Sequence, residues 1–232
     1  YASKFNKELV ISSKVNEGLI GVTPRPSYID TVFSNFQHAE NTSTNNTSTI
    51  KEYSFEFREL PNITGNVILS GYFQSYQYFP NLPINIFNFP KIIPQQNTVS
   101  IHVRRTDYLT NIDVHNPGSI EWYRKAIENV PKNSNTQFIL FSDDNEYLNN
   151  VFVKELNDVL PNWNISTQLD PIQAMMDMAS CTHNIIANSS FSWWASYFNP
   201  NEQKIVIAPR KWFGHCGPRK WASVYRDGMI LI

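Results

Sequence analysis

From Thr98 onward, apolar and polar positions change period again and again. Val99, Ile101 and Val103 alternate with Ser100, His102 and Arg104, a period of two that predicts a strand over 98–104 with one apolar and one polar face. Ser119–Val130 reads as a helix, and Gln137–Phe141 as a buried strand. Asp143 and Glu146 have capping-box spacing, with Asp in place of Ser or Thr, so a helix is expected from there to about Leu160. A short strand near Ile165, a Met-rich helix over 171–182 and a strand at Asn184–Ala187 follow. A helix at Ser190–Phe198 and a strand at Lys204–Ala208 close the series. Strands alternating with helices predict an α/β fold with a parallel, doubly wound sheet.

The first part of the chain is less regular. Residues 1–12 read as the end of a helix followed by a strand at Glu8–Ser12. Asn41–Thr49 is rich in Asn, Ser and Thr and reads as a loop. Asn66–Phe73 reads as a strand running into a turn, and the aromatic cluster Tyr72, Phe73, Tyr76, Tyr78 and Phe79 reads as core packing. Prolines 80, 83, 90 and 94 prevent a long element, which puts a domain boundary there and gives domains 1–94 and 95–232.

Composition narrows the class. The 232 residues suffice for one large or two modest domains with a real core. A net charge of −1 argues against nucleic acid or an anionic membrane as the main partner, but leaves room for a local anion site. Cys181 and Cys216 are the only cysteines, so neither a disulfide scaffold nor a Cys-based zinc site is expected. No apolar run has the length of a transmembrane helix. The chain opens at Tyr1 without a methionine, so an upstream segment is expected to be missing, and any membrane anchor within it, with the membrane association it would give, would not be visible. Few cysteines and no visible leader favour a cytoplasmic protein. A Golgi enzyme lacking its anchor would look the same. Six N-x-[S/T] sequons, at Asn41, Asn45, Asn46, Asn62, Asn164 and Asn188, carry little weight in a chain so rich in Asn.

Three stretches carry chemistry. His102-Val-Arg-Arg-Thr-Asp107 ends a strand with two adjacent guanidiniums, planar donors that match phosphate oxygens and stay charged at any working pH. Phe141-Ser-Asp-Asp144 ends the next strand. There Asp143 is expected to cap the following helix, leaving Asp144 for a ligand, and no third ligand cluster supports a metal. Ala187-Asn-Ser-Ser-Phe-Ser192 crowds small polar residues onto a strand-to-helix junction, more than one N-cap needs, which reads as an anion-binding nest formed by Asn188, Ser189 and Ser190. Neither a P-loop nor a dinucleotide fingerprint is present. Two phosphate-binding devices on neighbouring strand ends suggest a diphosphate, and a nucleotide-sugar fits, its diphosphate leaving with charge that fixed arginines stabilise.

These stretches, His102–Tyr108, Phe141–Asp144 and His183–Trp194, closely resemble the main motifs of the α-1,2-fucosyltransferases of glycosyltransferase family 11. Asn66–Ser75 and Ile205–Phe213 are similar to the family too. The resemblance implies a GT-B arrangement of two Rossmann-like halves, with the C-terminal half binding GDP-fucose. It also implies inverting transfer, with no metal or other cofactor, to the 2-OH of a galactose-terminated glycan. By that similarity Arg104 holds the β-phosphate, Arg105 lies near the diphosphate and the developing charge, His102 lies near the nucleotide, and Asp144 borders it. The family's Gly-Gly-Leu-Gly-Asn-Gln stretch is absent, which implies an incomplete N-terminal half. It also leaves open a catalytically silent nucleotide-sugar-binding module, or transfer with a different linkage. The acidic residue expected nine positions before His183 falls on Ala174, so Asp177, or else Asp170, takes its place. Asp107 and Asp113 are the candidates for the base that takes the acceptor proton. Asp107 is expected mainly to orient Arg105.

Overall fold

Strand β5, Thr98–Val103, is buried along its whole length. In a computed structural model describing residues 1–12, 28–39, 47–79 and 81–232, it is a central strand of a six-stranded sheet. The sheet also contains β6 (Gln137–Ser142), β7 (Trp163–Ile165), β8 (His183–Ile185), β9 (Val206–Ala208) and β10 (Ile230–Leu231). Its order is β10-β9-β8-β5-β6-β7, and every pairing is parallel. The chain first builds outward from β5 through β6 to β7, then returns to the other side of β5 and builds outward to β10. That is the doubly wound order of nucleotide-binding sheets, and its reversal lies between β5 and β8, where such folds place their ligands.

Both faces of the sheet are covered. Helix α2, Ile120–Asn129, is capped by the Ser119 hydroxyl accepting from Trp122 N–H and buries Tyr123, Ala126 and Ile127. The crossover after β6 is α3 (Asn145–Tyr147), a wide π-type turn at Leu148–Phe152, and α4 (Val153–Glu155). Val99, Ile101 and Val103 pack with Tyr123, Ile127, Leu148, Phe152 and Leu156 in one apolar core. The expected polar face of β5 is buried as well, beneath helices α5 (Pro171–Ser180) and α6 (Ser190–Phe198). Its polar atoms are therefore paired. Asn184 on β8 donates to the Ser100 hydroxyl (2.7 Å) and the Met178 carbonyl (2.8 Å), and accepts from the Asn199 amide (2.8 Å). Asn184→Ala would leave the buried Asn199 amide and Ser100 hydroxyl without this partner. It is expected to cost about 2 kcal/mol in urea unfolding. A loss within experimental error would show that this network contributes nothing net.

The chain divides into two compact units. One comprises Tyr1–Phe89 with Ala222–Val224, the other Pro90–Trp221 with Tyr225–Ile232. The first unit holds two small parallel pairs, β1 (Val10–Ser12) with β2 (Gln37–Ala39) and β3 (Thr47–Lys51) with β4 (Asn66–Ser70). Three expectations change here. Residues 2–6 form turns, not the end of a helix. Thr47–Thr49, expected in a loop, begin β3, while Asn41, Asn45 and Asn46 lie outside the described residues. The strand expected to run into a turn does so, ending at Ser70. There the Glu52 carboxylate takes the Tyr72 and Phe73 N–H groups at 2.7 and 2.8 Å and turns the chain. A side chain on Gly71 would collide with Glu52, so the turn needs glycine. The aromatic cluster is only partly core: Tyr78 packs between Phe57 and Phe73, but Tyr72 is 74% exposed.

Candidate active site

Four loops leave the carboxyl edge of the sheet beside its reversal point, and side chains tie them together. Val103 is in register with Ser142, so the charged residues that follow meet at one level. Asp143 organises them. Its carboxylate accepts from the backbone N–H groups of Arg105 (2.9 Å) and Thr106 (3.1 Å) and from the Thr106 hydroxyl, and it pairs with Arg104 at 3.3 Å. Asp144, not Asp143, caps α3, accepting from Tyr147 N–H at 2.9 Å. The expected assignment is thus displaced by one residue, because Asp143 is fully engaged by the arginine loop. Nor is Asp144 free, since Arg105 Nε donates to it at 3.2 Å.

The two arginines are held differently. Arg104 lies between Asp107 (2.8 Å) and Asp143. Burial alone would lower its pKa, but the Asp107 hydrogen bond and the two carboxylate charges raise it above the usual value. The carboxyl of Asp107 responds in the opposite direction. Burial works to raise its pKa, yet the Arg104 hydrogen bond and charge outweigh that and hold it below the usual carboxylate range. Asp107 therefore positions Arg104, not Arg105 as expected. Arg105 lies flat on the Tyr147 ring, its guanidinium carbon 3.4 Å from the ring centre. With Nε on Asp144, both Nη groups remain without a protein hydrogen bond among the described residues. A guanidinium stacked on one face and anchored at one corner is pre-aimed at a ligand.

Across the reversal point, α6 starts immediately after β8. Ser189 caps it, accepting from Phe191 N–H. Ser189 is buried, and Ser190 is exposed at the helix start. Asn188 is buried and joins three loops. Its amide donates to the Trp212 carbonyl at 2.7 Å, and its carbonyl accepts from the Tyr108 hydroxyl at 2.9 Å. Asn188 therefore supports the nest from below, and its sequon is not accessible. His102 is buried under this helix, sharing a 2.9 Å hydrogen bond with Ser192.

Burial, reinforced by Arg104, pushes the His102 pKa down to about 4. In the unfolded chain it would titrate near its ordinary ~6.5. Below that value the unfolded state binds the extra proton, so this contribution to stability is complete above ~6.5 and falls as pH drops toward 4. The expected loss is ~1 kcal/mol between about pH 7.5 and about pH 5.5. Urea unfolding of the wild type against His102→Asn measures it: the slope should be shallower in the variant, and equal slopes would refute the buried neutral imidazole.

The remaining candidates separate. Asp113 is 70% exposed and 3.7 Å from His215. Asp177 lies near the far end of α5, accepting from Gln173, with its backbone carbonyl bonded to Ser180. Ser180 in turn binds Gln95, ahead of the start of β5. That is the amino edge of the sheet, so the structure does not bring Asp177 to the arginines. Asp170 caps the opposite end of α5. Three residues join the site that the motif reading left unused: Tyr108, Tyr147, and His115, which stacks on Tyr108 at 4.1 Å. Only the aromatic content of the loops hinted at them. Among the described residues, no group of three or more His, Cys, Asp or Glu is placed to hold a metal, and no helix is long and apolar enough to cross a membrane.

Comparison with known proteins places the chain in a family. An O-antigen biosynthesis glycosyltransferase, WbnK, of Escherichia coli is 37% identical over 146 residues, covering 61% of this chain and 48% of the relative. An alpha-1,2-colitosyltransferase of Escherichia coli is 31% identical over 189 residues, covering 69% of this chain and 63% of the relative. The chain thus spans about half to three-fifths of the length of these relatives. No solved structure matches it significantly. Residues 27–229 match Glycosyl transferase family 11, a span that takes in the arginine loop, the paired aspartates and the Ser-capped helix, and the chain belongs to that family.

Proposed function

We propose that this chain carries the donor site of an enzyme that transfers L-fucose from GDP-fucose to the 2-OH of a terminal galactose, with inversion and without a metal. The observation that carries the reading is the placement of Arg105, whose Nη groups have no protein hydrogen bond among the described residues, across the sheet's reversal point from the exposed start of α6. A diphosphate placed there meets fixed cationic charge on one side and helix N–H groups on the other. As the acceptor oxygen bonds to the anomeric carbon, the bond from that carbon to the phosphate oxygen breaks and its electron pair leaves on the diphosphate. Arg105 and the helix start are preorganised for that charge. Asp113 is the loop carboxylate not committed to a guanidinium, so the reading assigns it the acceptor proton. In this reading the N-terminal unit supplies the acceptor-side half of a GT-B arrangement. The name of one relative, an O-antigen biosynthesis glycosyltransferase, supports a setting in O-antigen synthesis. The colitosyltransferase match favours one alternative, the same site with colitose as the donor sugar.

Calorimetric titration with GDP, UDP and ADP in EDTA is the test. GDP is expected to bind at least about tenfold more tightly than the others, a difference of ~1.4 kcal/mol, and to lose binding in Arg104→Ala. UDP or ADP binding as tightly as GDP would overturn the donor assignment. Transfer assays with fucose- and colitose-bearing donors then separate the two sugars. Transfer is expected to survive chelation; loss restored by Mn²⁺ or Mg²⁺ would assign Asp143 and Asp144 a metal.

A further inference from the structure

The stretch from β9 through the loop after it concentrates positive charge. Between Ile205 and Arg226 lie Arg210, Lys211, Arg219, Lys220 and Arg226, with no Asp or Glu, in a chain whose net charge is −1. Arg210 is used by the fold, donating to the Leu231 carbonyl. Arg226 lies over the Tyr197 ring. Lys211 and Arg219 are different. Both are exposed, and neither has a carboxylate partner among the described residues. With His215 they line an open cleft of about 420 Å³, whose walls include Phe213, Trp221 and Asn116. That volume lies within the ~300–1,000 Å³ of small-molecule sites.

The cleft is fixed to the arginine loop. Gly214 N–H donates to the Val114 carbonyl and Cys216 N–H to the Asp113 carbonyl, both at 2.8 Å, and His115 bridges to Phe213. Side chains at Gly214 and Gly217 would collide with the Asp113 and Val114 carbonyls, so the two loops meet backbone to backbone. His215 faces Asp113 at 3.7 Å. The cleft therefore opens beside the carboxylate assigned the acceptor proton. Aromatic walls suit the apolar face of a sugar ring, and two uncompensated cations suit an anion attached to it.

We infer that this cleft is an acceptor subsite for an anionic glycan, one whose sugar next to the modified galactose carries a carboxylate or a phosphate. The inference builds on the sugar-transfer reading, but its test needs neither donor nor turnover. The full chain is titrated with three disaccharides ending in galactose: one with glucuronate, one with a sugar phosphate and one with neutral glucose as the neighbour. At least one acidic disaccharide is expected to bind about tenfold or more tightly than the neutral one. That preference should fall to near unity in Lys211→Met/Arg219→Met, with thermal melting checking the fold. The tighter of the two acids names the anion. Equal binding of acidic and neutral ligands, no binding by any, or a preference that survives in the double variant overturns the inference. Displacement of the acid by saturating GDP also overturns it, by assigning the cleft to the nucleotide. Failure of selective GDP binding, with the acid preference intact, would instead remove only the donor reading.

Discussion

Arg105→Ala is expected to lower kcat/KM for sugar transfer by about a hundredfold or more, ~3 kcal/mol of transition-state stabilisation. Arg105 does little for the fold. Its backbone N–H is bonded to Asp143, a contact that any residue here retains, and its side chain touches Asp144 and Tyr147. Asp144 keeps its capping bond to Tyr147 N–H when the guanidinium is gone. The loss should therefore fall on catalysis, with a thermal melt close to wild type. Arg105→Lys separates charge from shape. It keeps the cation but loses the planar stack on Tyr147 and the bond to Asp144 made by Nε, so intermediate activity is expected. Near-full transfer by Arg105→Ala would remove this residue from the mechanism.

Asp143→Ala should have the largest effect on stability. One carboxylate, 17% exposed, accepts from two backbone N–H groups and the Thr106 hydroxyl while pairing with Arg104. Its removal strands those donors and leaves Arg104 with Asp107 alone. Breaking one side of such a partly buried charge network costs about 3 kcal/mol or more. Urea unfolding at neutral pH measures it, and nucleotide titration should show weakened binding in the same variant, because the loop that aims both arginines loses its anchor. Asp143→Asn keeps one acceptor oxygen and should fall between the two. A loss within about 1 kcal/mol, the range of a surface ion pair, would mean that the loop holds its shape without Asp143.

The sheet could be read from residue pattern because its strands alternate with amphipathic helices. From β5 to β9 the expected elements are all present, with ends moved by a few residues. Strand β10 could not be seen, since two residues before the end of the chain carry no period. The motif reading found the arginines and the Ser-rich helix start. It missed the partners, because partners are set by register. Val103 beside Ser142 brings Arg104-Arg105 level with Asp143-Asp144, and nothing within either stretch announces that. The same holds for β5. Its alternation showed one polar face but not what covers it: α5 and α6 do, and Ser100 and His102 are satisfied from β8 and α6. Asp177 is the converse case. Counting along the sequence brought it close to the motif, while helix direction puts it at the other edge of the sheet.

The asparagine network under the sheet also bears on manufacturing tolerance. Strand β8 has only three residues, with little apolar pattern of its own to hold it in place. A slide of two positions along β5 would keep inward and outward faces unchanged, so burial alone penalises it weakly. That slide would carry Ser189 and the start of α6 by roughly 6.6 Å, out of reach of anything Arg105 holds. Asn184 matches its amide to Ser100, Met178 and Asn199 in one alignment only. It is the datum from which the position of a distant loop is measured, and a chain that tolerates its loss thermodynamically would still set the start of α6 less accurately against the arginine loop.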